Sequence, residues 1–394
     1  MRLWYGVMLT ACWSGAAVAQ TSPLRNLDIF VGNVLTYDDN VFRTSNATAK
    51  ESDWIIEPTV TVGYTRPLAR GSINLGGRLA YRFYTRNSQL NRENIEAYLR
   101  GNTALWRCNL TPNASFRRQQ SDLADIIDGA TAKNAESRIR VGSGILCGNG
   151  IGIRPGIEYT YESVSNSSDV RSISDFHRHT VTGRLGYSRP SLGLIALYGT
   201  LQQGKYPNRP AGSADDEVKT YSVGISYNRE LGTRLTGGVH VGYMKVKANP
   251  SGLPGVSGVP GHTGITYGGD LAYRGSDRIS GTLSFSRDTQ QSNLLGVDYS
   301  LQTQFEGAIS YAVSRVVSLT ANASHTRRDF RGTSFVIPGV VLGAGDRTTR
   351  FGGAVTFQSF RRLNFTLSGT HFIRNSPARD YTANQIALTT GMRF

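Results

Sequence analysis

Residues 73–83 read Ile73-Asn74-Leu75-Gly76-Gly77-Arg78-Leu79-Ala80-Tyr81-Arg82-Phe83. Odd positions are mostly apolar or aromatic, and even positions are polar, small or cationic. Successive side chains of a β-strand point to opposite faces. One face of this strand suits lipid and the other suits water.

The same period-two alternation recurs on both sides of this stretch. It predicts strands over 27–37, 54–65, 72–84, 94–105, 108–118, 136–147, 151–162, 177–188, 191–202, 218–229, 233–245, 263–274, 279–288, 299–311, 316–327, 348–359, 363–374 and 382–394. Only 191–202 is ambiguous, because Leu192, Leu194, Ile195 and Leu197 fall on both faces. Pro58, Pro112 and Pro155 count against their strands, since each removes a ladder hydrogen bond. The connections alternate between tight turns, such as Trp106–Arg107 and Arg189–Pro190, and long polar loops, such as 38–53 and 119–135.

Composition narrows the class. Hydrophobic residues are 39% of the chain and charged residues 18%, with 45 Gly, 19 Tyr and 15 Phe. No segment after the first twenty residues approaches the roughly 18 uncharged apolar residues of a transmembrane helix. A closed barrel is the other structure that satisfies every backbone group in lipid. The expected fold is therefore all-β: a transmembrane antiparallel β-barrel of about 18 strands, with short periplasmic turns and long external loops. An even count puts both chain ends in the periplasm, and the first connection is long, as that requires.

The N-terminus reads as a targeting segment. Arg2 is followed by the apolar run Leu3–Cys12 and by Ala17-Val18-Ala19 before Gln20, which predicts a signal peptide over residues 1–19 and one barrel domain over 20–394. Leu9-Thr10-Ala11-Cys12 resembles a lipoprotein box and offers a competing cleavage route. Export implies an oxidising compartment. Cys108 opens one predicted strand, Cys147 closes the next, and the two share a parity. They would sit opposite each other near the periplasmic rim, as a cross-strand disulfide or as two free thiols.

The net charge of +15, or +14 once Arg2 is removed, belongs to the watery face. Parity places Arg78, Arg82, Arg100, Arg117, Arg138 and Arg140 there. It places Arg154, Arg178, Arg184, Arg274, Arg350 and Arg374 there too. Glu57, Glu96, Glu158, Asp270 and Glu306 share that face. A charge on the lipid face would cost about 2–4 kcal/mol near the midplane, which is why mid-strand arginines must point inward. Arginine rings favour anions, so the lumen is expected to pass anionic solutes or an anionic polymer. Arg–Glu pairing across the lumen, for instance Arg154 with Glu158, is the structural alternative. Trp54, Tyr64, Tyr81, Phe83, Trp106, Tyr159, Tyr161, Tyr187, Tyr227, Tyr243 and Tyr273 fit aromatic girdles on the lipid face. Tyr98 faces inward.

Enzyme chemistry finds no purchase. No nucleophile-elbow, zinc-protease or phosphate-loop motif occurs, and His177 and His179 are a lone pair two residues apart. Asp215-Asp216-Glu217 reads as a solvated run in an external loop. No cofactor or metal is expected. The arginines are spread at strand parity rather than clustered, so nucleic acid is excluded as a partner. Residues 20–26 leave no room for a plug domain of a receptor.

Two short motifs carry a family resemblance. The last strand, Ile386 to Phe394, alternates and ends on Phe394, which resembles the signal that outer-membrane proteins present to their insertion machinery. The block Tyr37-Asp38-Asp39-Asn40-Val41-Phe42 just after the first strand is similar to the β-barrel porin-2 family, whose members include barrels found with exopolysaccharide secretion operons. The resemblance implies a Gram-negative outer-membrane conduit for a secreted polysaccharide, surrounded by outer-membrane lipid and lipopolysaccharide and working with periplasmic export proteins. A general or anion-selective diffusion porin is the alternative, and an outer-membrane hydrolase or adhesin is a weaker one. The block itself has a plain structural reading as well, because Asp and Asn commonly end a strand and start a turn.

Overall fold

The computed structural model describes residues 26–394 apart from 122–133, 149, 209–216, 249–260, 292–296, 298, 332–344, 360–361 and 378–379. The expected signal peptide, residues 1–19, and most of the acidic run at 215–217 lie outside the described residues.

Eighteen strands form one closed antiparallel sheet. They are β1 (Leu27–Asp38), β2 (Asp53–Leu68), β3 (Gly71–Tyr84), β4 (Arg92–Leu105), β5 (Cys108–Gln120) and β6 (Ala135–Cys147). Next come β7 (Gly152–Asn166), β8 (Phe176–Arg189), β9 (Gly193–Lys205), β10 (Glu217–Leu231), β11 (Leu235–Ala248) and β12 (His262–Arg274). The circuit ends with β13 (Ile279–Gln291), β14 (Tyr299–Ala312), β15 (Val317–Arg331), β16 (Gly345–Gln358), β17 (Leu363–Asn375) and β18 (Tyr381–Arg393). Each strand pairs with its neighbours in sequence, and β1 pairs with β18 to close the ring. Closure leaves no edge to seek another chain. No helix among the described residues is long and apolar enough to cross a membrane; the strands do the crossing.

Alternation sorts the residues as the lipid argument requires. In β3, Leu75, Leu79, Tyr81 and Phe83 are exposed while Ala80 and Tyr84 are buried. In β9, Ile195, Leu197 and Leu201 face outward and Ala196, Tyr198, Thr200 and Gln202 inward. The strand that reads ambiguously in sequence is thus an ordinary wall strand, with Leu194 on the inner face beside Gly186.

The three prolines interrupt their ladders locally and end no strand. The β2–β3 ladder skips Glu57 and Pro58 and resumes in the same register at Thr59↔Ala80. The β4–β5 ladder likewise skips Thr111 and Pro112, and Pro155 lies one residue beyond the last β6–β7 pair. All three rings share parity with lipid-facing neighbours, where a missing N–H is offset by an apolar surface.

The turn at the periplasmic rim between β4 and β5 holds Trp106 in the left-handed region, at φ 55°. Its ring is exposed, where an interfacial girdle residue belongs. Beside it Cys108 and Cys147 face each other in register and form a disulfide.

One part of the wall departs from the cylinder. The β12–β13 ladder stops at Tyr267↔Arg287, although β13–β14 pairing continues to Gln291↔Tyr299. Thr289, Leu301 and Tyr299 share parity with lipid-facing Phe285 and Phe305, yet all three are buried. Tyr299 packs in a cluster with Val164, Phe176, Tyr206, Val218 and Val246. The four of these that lie on strands face inward from β7, β8, β10 and β11. On β9, a side chain at Gly204 would collide with the Gln291 amide: a Cβ there would lie 1.1 Å from its Nε2. The outer end of the β13–β14 hairpin therefore leaves the wall, tucks inside β12 and crosses to the inner surface of β7–β11.

Candidate functional site: the charged lumen

All twelve arginines singled out by parity lie on the inward register of their strands, but the structure changes what most of them do. Carboxylates organise them into clusters. On one wall Glu57 of β2 accepts from Arg78 Nη2 at 2.5 Å and Arg82 Nε at 2.6 Å, both on β3. Arg78 also donates to Thr59.

A second cluster centres on Glu162 of β7, which is 1% exposed. Arg138 and Arg140 of β6 reach its Oε1 at 2.9 and 3.0 Å, and Arg178 of β8 bonds Oε2. Arg138 also touches Glu136 at 3.1 Å. On the third wall Asp346 of β16 is held by Arg328 of β15 at 2.5 Å and Arg374 of β17 at 2.6 Å. Charge-assisted bonds of this kind are the strong ones in a partly dry lumen.

Two further pairs run across neighbouring strands, Arg117 with Glu96 at 3.1 Å and Arg184 with Glu158 at 3.1 Å. Glu158 thus pairs across the ladder rather than with Arg154 along its own strand, because a diagonal neighbour on the next strand lies closer than a side chain four residues along the same strand. Arg154 makes no ion pair among the described residues. Arg100 lies over the Tyr98 ring at 5.1 Å and Arg350 over Phe372 at 5.1 Å. Arg274 marks the periplasmic end of β12. Among the described residues at least eight of the twelve arginines are ion-paired, the arrangement that the sequence left open as the structural alternative.

Among the described residues guanidiniums outnumber carboxylates in these contacts: Glu57 faces two, Asp346 faces two, and Glu162 with Glu136 face three. Glu136, Glu162, Arg328 and Asp346 are absent from the sequence-derived set because they sit near strand ends. Glu162 and Glu136 had a usable signal, sharing parity with Glu158 and with Arg138 and Arg140 respectively.

The block at 37–42 locks the seam where β1 meets β18. Asp38 accepts from Arg43 Nη1 and Nη2 at 2.8 and 2.9 Å and from Gln385 at 2.7 Å. Asp39 takes the backbone N–H and side chain of Asn384. Asn40 bonds the backbone of Thr44 and Thr382. Val41, with Phe42 against it, packs on Ile55, Tyr84 and Leu90, while Tyr37 rests on Trp54 outside. The motif folds the first external connection inward and staples the ring shut. Beneath it a cavity of about 340 Å³ is lined by Asp38, Arg43, Glu57, Arg82, Gln119 and Gln385 among others.

His177 and His179 face lipid, not the lumen. They share hydrogen bonds with Tyr161 at 3.1 Å and Tyr159 at 2.8 Å. Phe394 exchanges backbone hydrogen bonds with Ile29 beside the β1–β18 seam, with its ring exposed.

Solved structures of similar shape include bacterial porins. OccK2 (OpdF) of Pseudomonas aeruginosa, solved in complex with glucuronate, is 10% identical with a TM-score of 0.46 over 94% of this chain and 98% of that one. A BenF-like porin from Pseudomonas fluorescens Pf-5 is 11% identical with a TM-score of 0.45, over 94% and 98%. OprD of P. aeruginosa is 10% identical with a TM-score of 0.44, over 94% of each. No curated protein sequence matches the chain. The model of the family described as "Putative beta-barrel porin 2" matches residues 31–394. Closed ring, lipid-facing outer surface and charged lumen agree with that match, and the chain belongs to this family of outer-membrane porins of Gram-negative bacteria.

Proposed function

We propose that the protein is a diffusion channel for small hydrophilic solutes that favours anions. The observation carrying this reading is that, among the described residues, Glu57 is shared by two inward-facing guanidiniums and Glu162 by three. Guanidiniums fixed in this way attract carboxylate and phosphate groups without collapsing onto each other. The tucked end of β13–β14 supports a small cargo, because it occupies part of the lumen at the outer mouth. Export of a polysaccharide, implied by the motif resemblance, has no such support.

Two measurements test the reading. In planar bilayers under a salt gradient, the reversal potential should report preference for chloride over potassium. Reversing Arg78, Arg82 and Arg100 to glutamate should shift that preference toward cations, and unchanged selectivity would take them off the conduction path. In the host, deleting the gene should reduce uptake of small hydrophilic anions and leave secreted polymer intact. Loss of extracellular polymer with normal uptake would reinstate the export reading.

A further inference from the structure

The outer surface of the barrel carries a charge pattern that transport does not use. Over β1–β3 the lipid-facing series stays apolar or aromatic up to the external rim and ends in Tyr37, Trp54 and Phe83. On other strands it turns polar or charged, as where Arg118 of β5 bonds Glu93 of β4, and along two strand pairs it turns cationic. Along the β10–β11 rungs the outward pairs run Ile225↔Val241, Val223↔Tyr243, Tyr221↔Lys245 and then Lys219↔Lys247. Along β15–β16 they run Leu319↔Val355, Ala321↔Gly353, Ala323↔Phe351, His325↔Thr349 and then Arg327↔Arg347.

Each series reaches two like charges directly opposite one another on adjacent strands. Facing like charges destabilise a sheet. One cation of each pair meets an acidic neighbour: Glu217 bonds Lys219 at 2.8 Å and Asp329 bonds Arg327 at 3.0 Å. Lys245, Lys247 and Arg347 stay exposed on the outer face. Lys247 leans over the Tyr221 ring at 5.7 Å, so its stem follows the aromatic girdle and its ammonium sits at the interface level.

We propose that these two outward patches, Lys219–Lys245–Lys247 and Arg327–Arg347, bind the phosphate groups of a phosphorylated glycolipid in the outer leaflet. A phosphate between facing cations converts repulsion into charge-assisted hydrogen bonds. The height of the patches, one or two rungs above the last apolar pair, is where lipid headgroups meet the barrel. A soluble anion would not need that position, and a protein partner would need apolar area that these rungs lack. The lipid's sugar would lie against Tyr221 and Tyr243, and its acyl chains against the apolar rungs below.

The full-length barrel is purified, freed of lipid in detergent and mixed with vesicles of neutral lipid containing the phosphorylated glycolipid. Parallel vesicles contain the same glycolipid after phosphatase treatment, and a third sample receives inorganic phosphate alone. Binding and the temperature at which the barrel loses its compact migration on gels are both measured. The phosphorylated vesicles should bind and stabilise the barrel, and the other two samples should not. R327Q/R347Q and K219Q/K245Q/K247Q should each weaken binding about tenfold, a change on the scale of one charge-assisted contact. R327K/R347K should retain most of the binding, and single-channel conductance should be unchanged in all variants. Equal binding to dephosphorylated vesicles, full stabilisation by inorganic phosphate, or wild-type binding by both neutral variants would each overturn the proposal.

Discussion

Glu162→Gln is the most informative perturbation of the lumen. The side chain keeps its shape and loses its charge, while Arg138, Arg140 and Arg178 remain within its reach. The cluster's net charge rises by one unit. An extra unit charge about 7 Å from a passing anion, acting through water, is worth about 0.6 kcal/mol, or roughly threefold in permeability ratio. A Debye length of about 10 Å at 0.1 M salt cuts this to roughly 1.6-fold. The chloride preference should therefore strengthen, and more so in 10 mM than in 100 mM salt.

The same substitution should cost stability. Removing one partner of a buried ion pair typically costs about 3–5 kcal/mol. Arg138 stays 39% exposed at its side chain, and Arg140 22%, so water screens part of the loss and about 3 kcal/mol is expected. The assays are reversal potentials at both salt concentrations and thermal loss of the folded band on gels. Unchanged selectivity in 10 mM salt, in a variant that still migrates as a folded barrel, would show that ions do not pass the Glu162 cluster. The charge argument for anion preference would then fail.

Other consequences follow from particular contacts. Tyr299→Ala should undock the β13–β14 end and raise single-channel conductance; an unchanged value would mean the hairpin is not the constriction. The pair Gly204→Cys with Gln291→Cys should crosslink under mild oxidation, whereas failure to crosslink in the folded barrel would place the hairpin elsewhere. Losing the Cys108–Cys147 bond, whose partners are 39 residues apart in sequence, should cost about 3–4 kcal/mol on the chain-entropy scale. A C108S/C147S barrel that melts like wild type under non-reducing conditions would refute that. Asp38→Asn removes the carboxylate that Arg43 and Gln385 share and should lower the temperature at which the folded band is lost; an unchanged temperature would mean that the contact does not hold the seam.

The sequence by itself determined the wall. Lipid on one side and water on the other impose a period of two on every strand, and a misplaced charge is costly enough that the pattern is kept throughout. Hence Arg78 and Leu79 could be assigned to faces from neighbours alone, and the cysteines could be placed opposite each other at the rim. Tertiary structure decided whatever depends on partners distant in the chain. Glu162 meets Arg138 and Arg178 because β6, β7 and β8 stack in one register, and parity says which face a residue takes without saying which rung it shares. Asp38 finds Gln385 only because the ring closes. The hairpin at 288–301 is the clearest case. Tyr299 and Leu301 read as ordinary lipid-facing residues, and nothing local distinguishes them. Their burial follows from the β12–β13 ladder ending early and from the inner surface of β7–β11 offering the hairpin a second apolar place to pack. That choice weighs surfaces more than fifty residues apart, so it becomes visible only when the barrel is assembled.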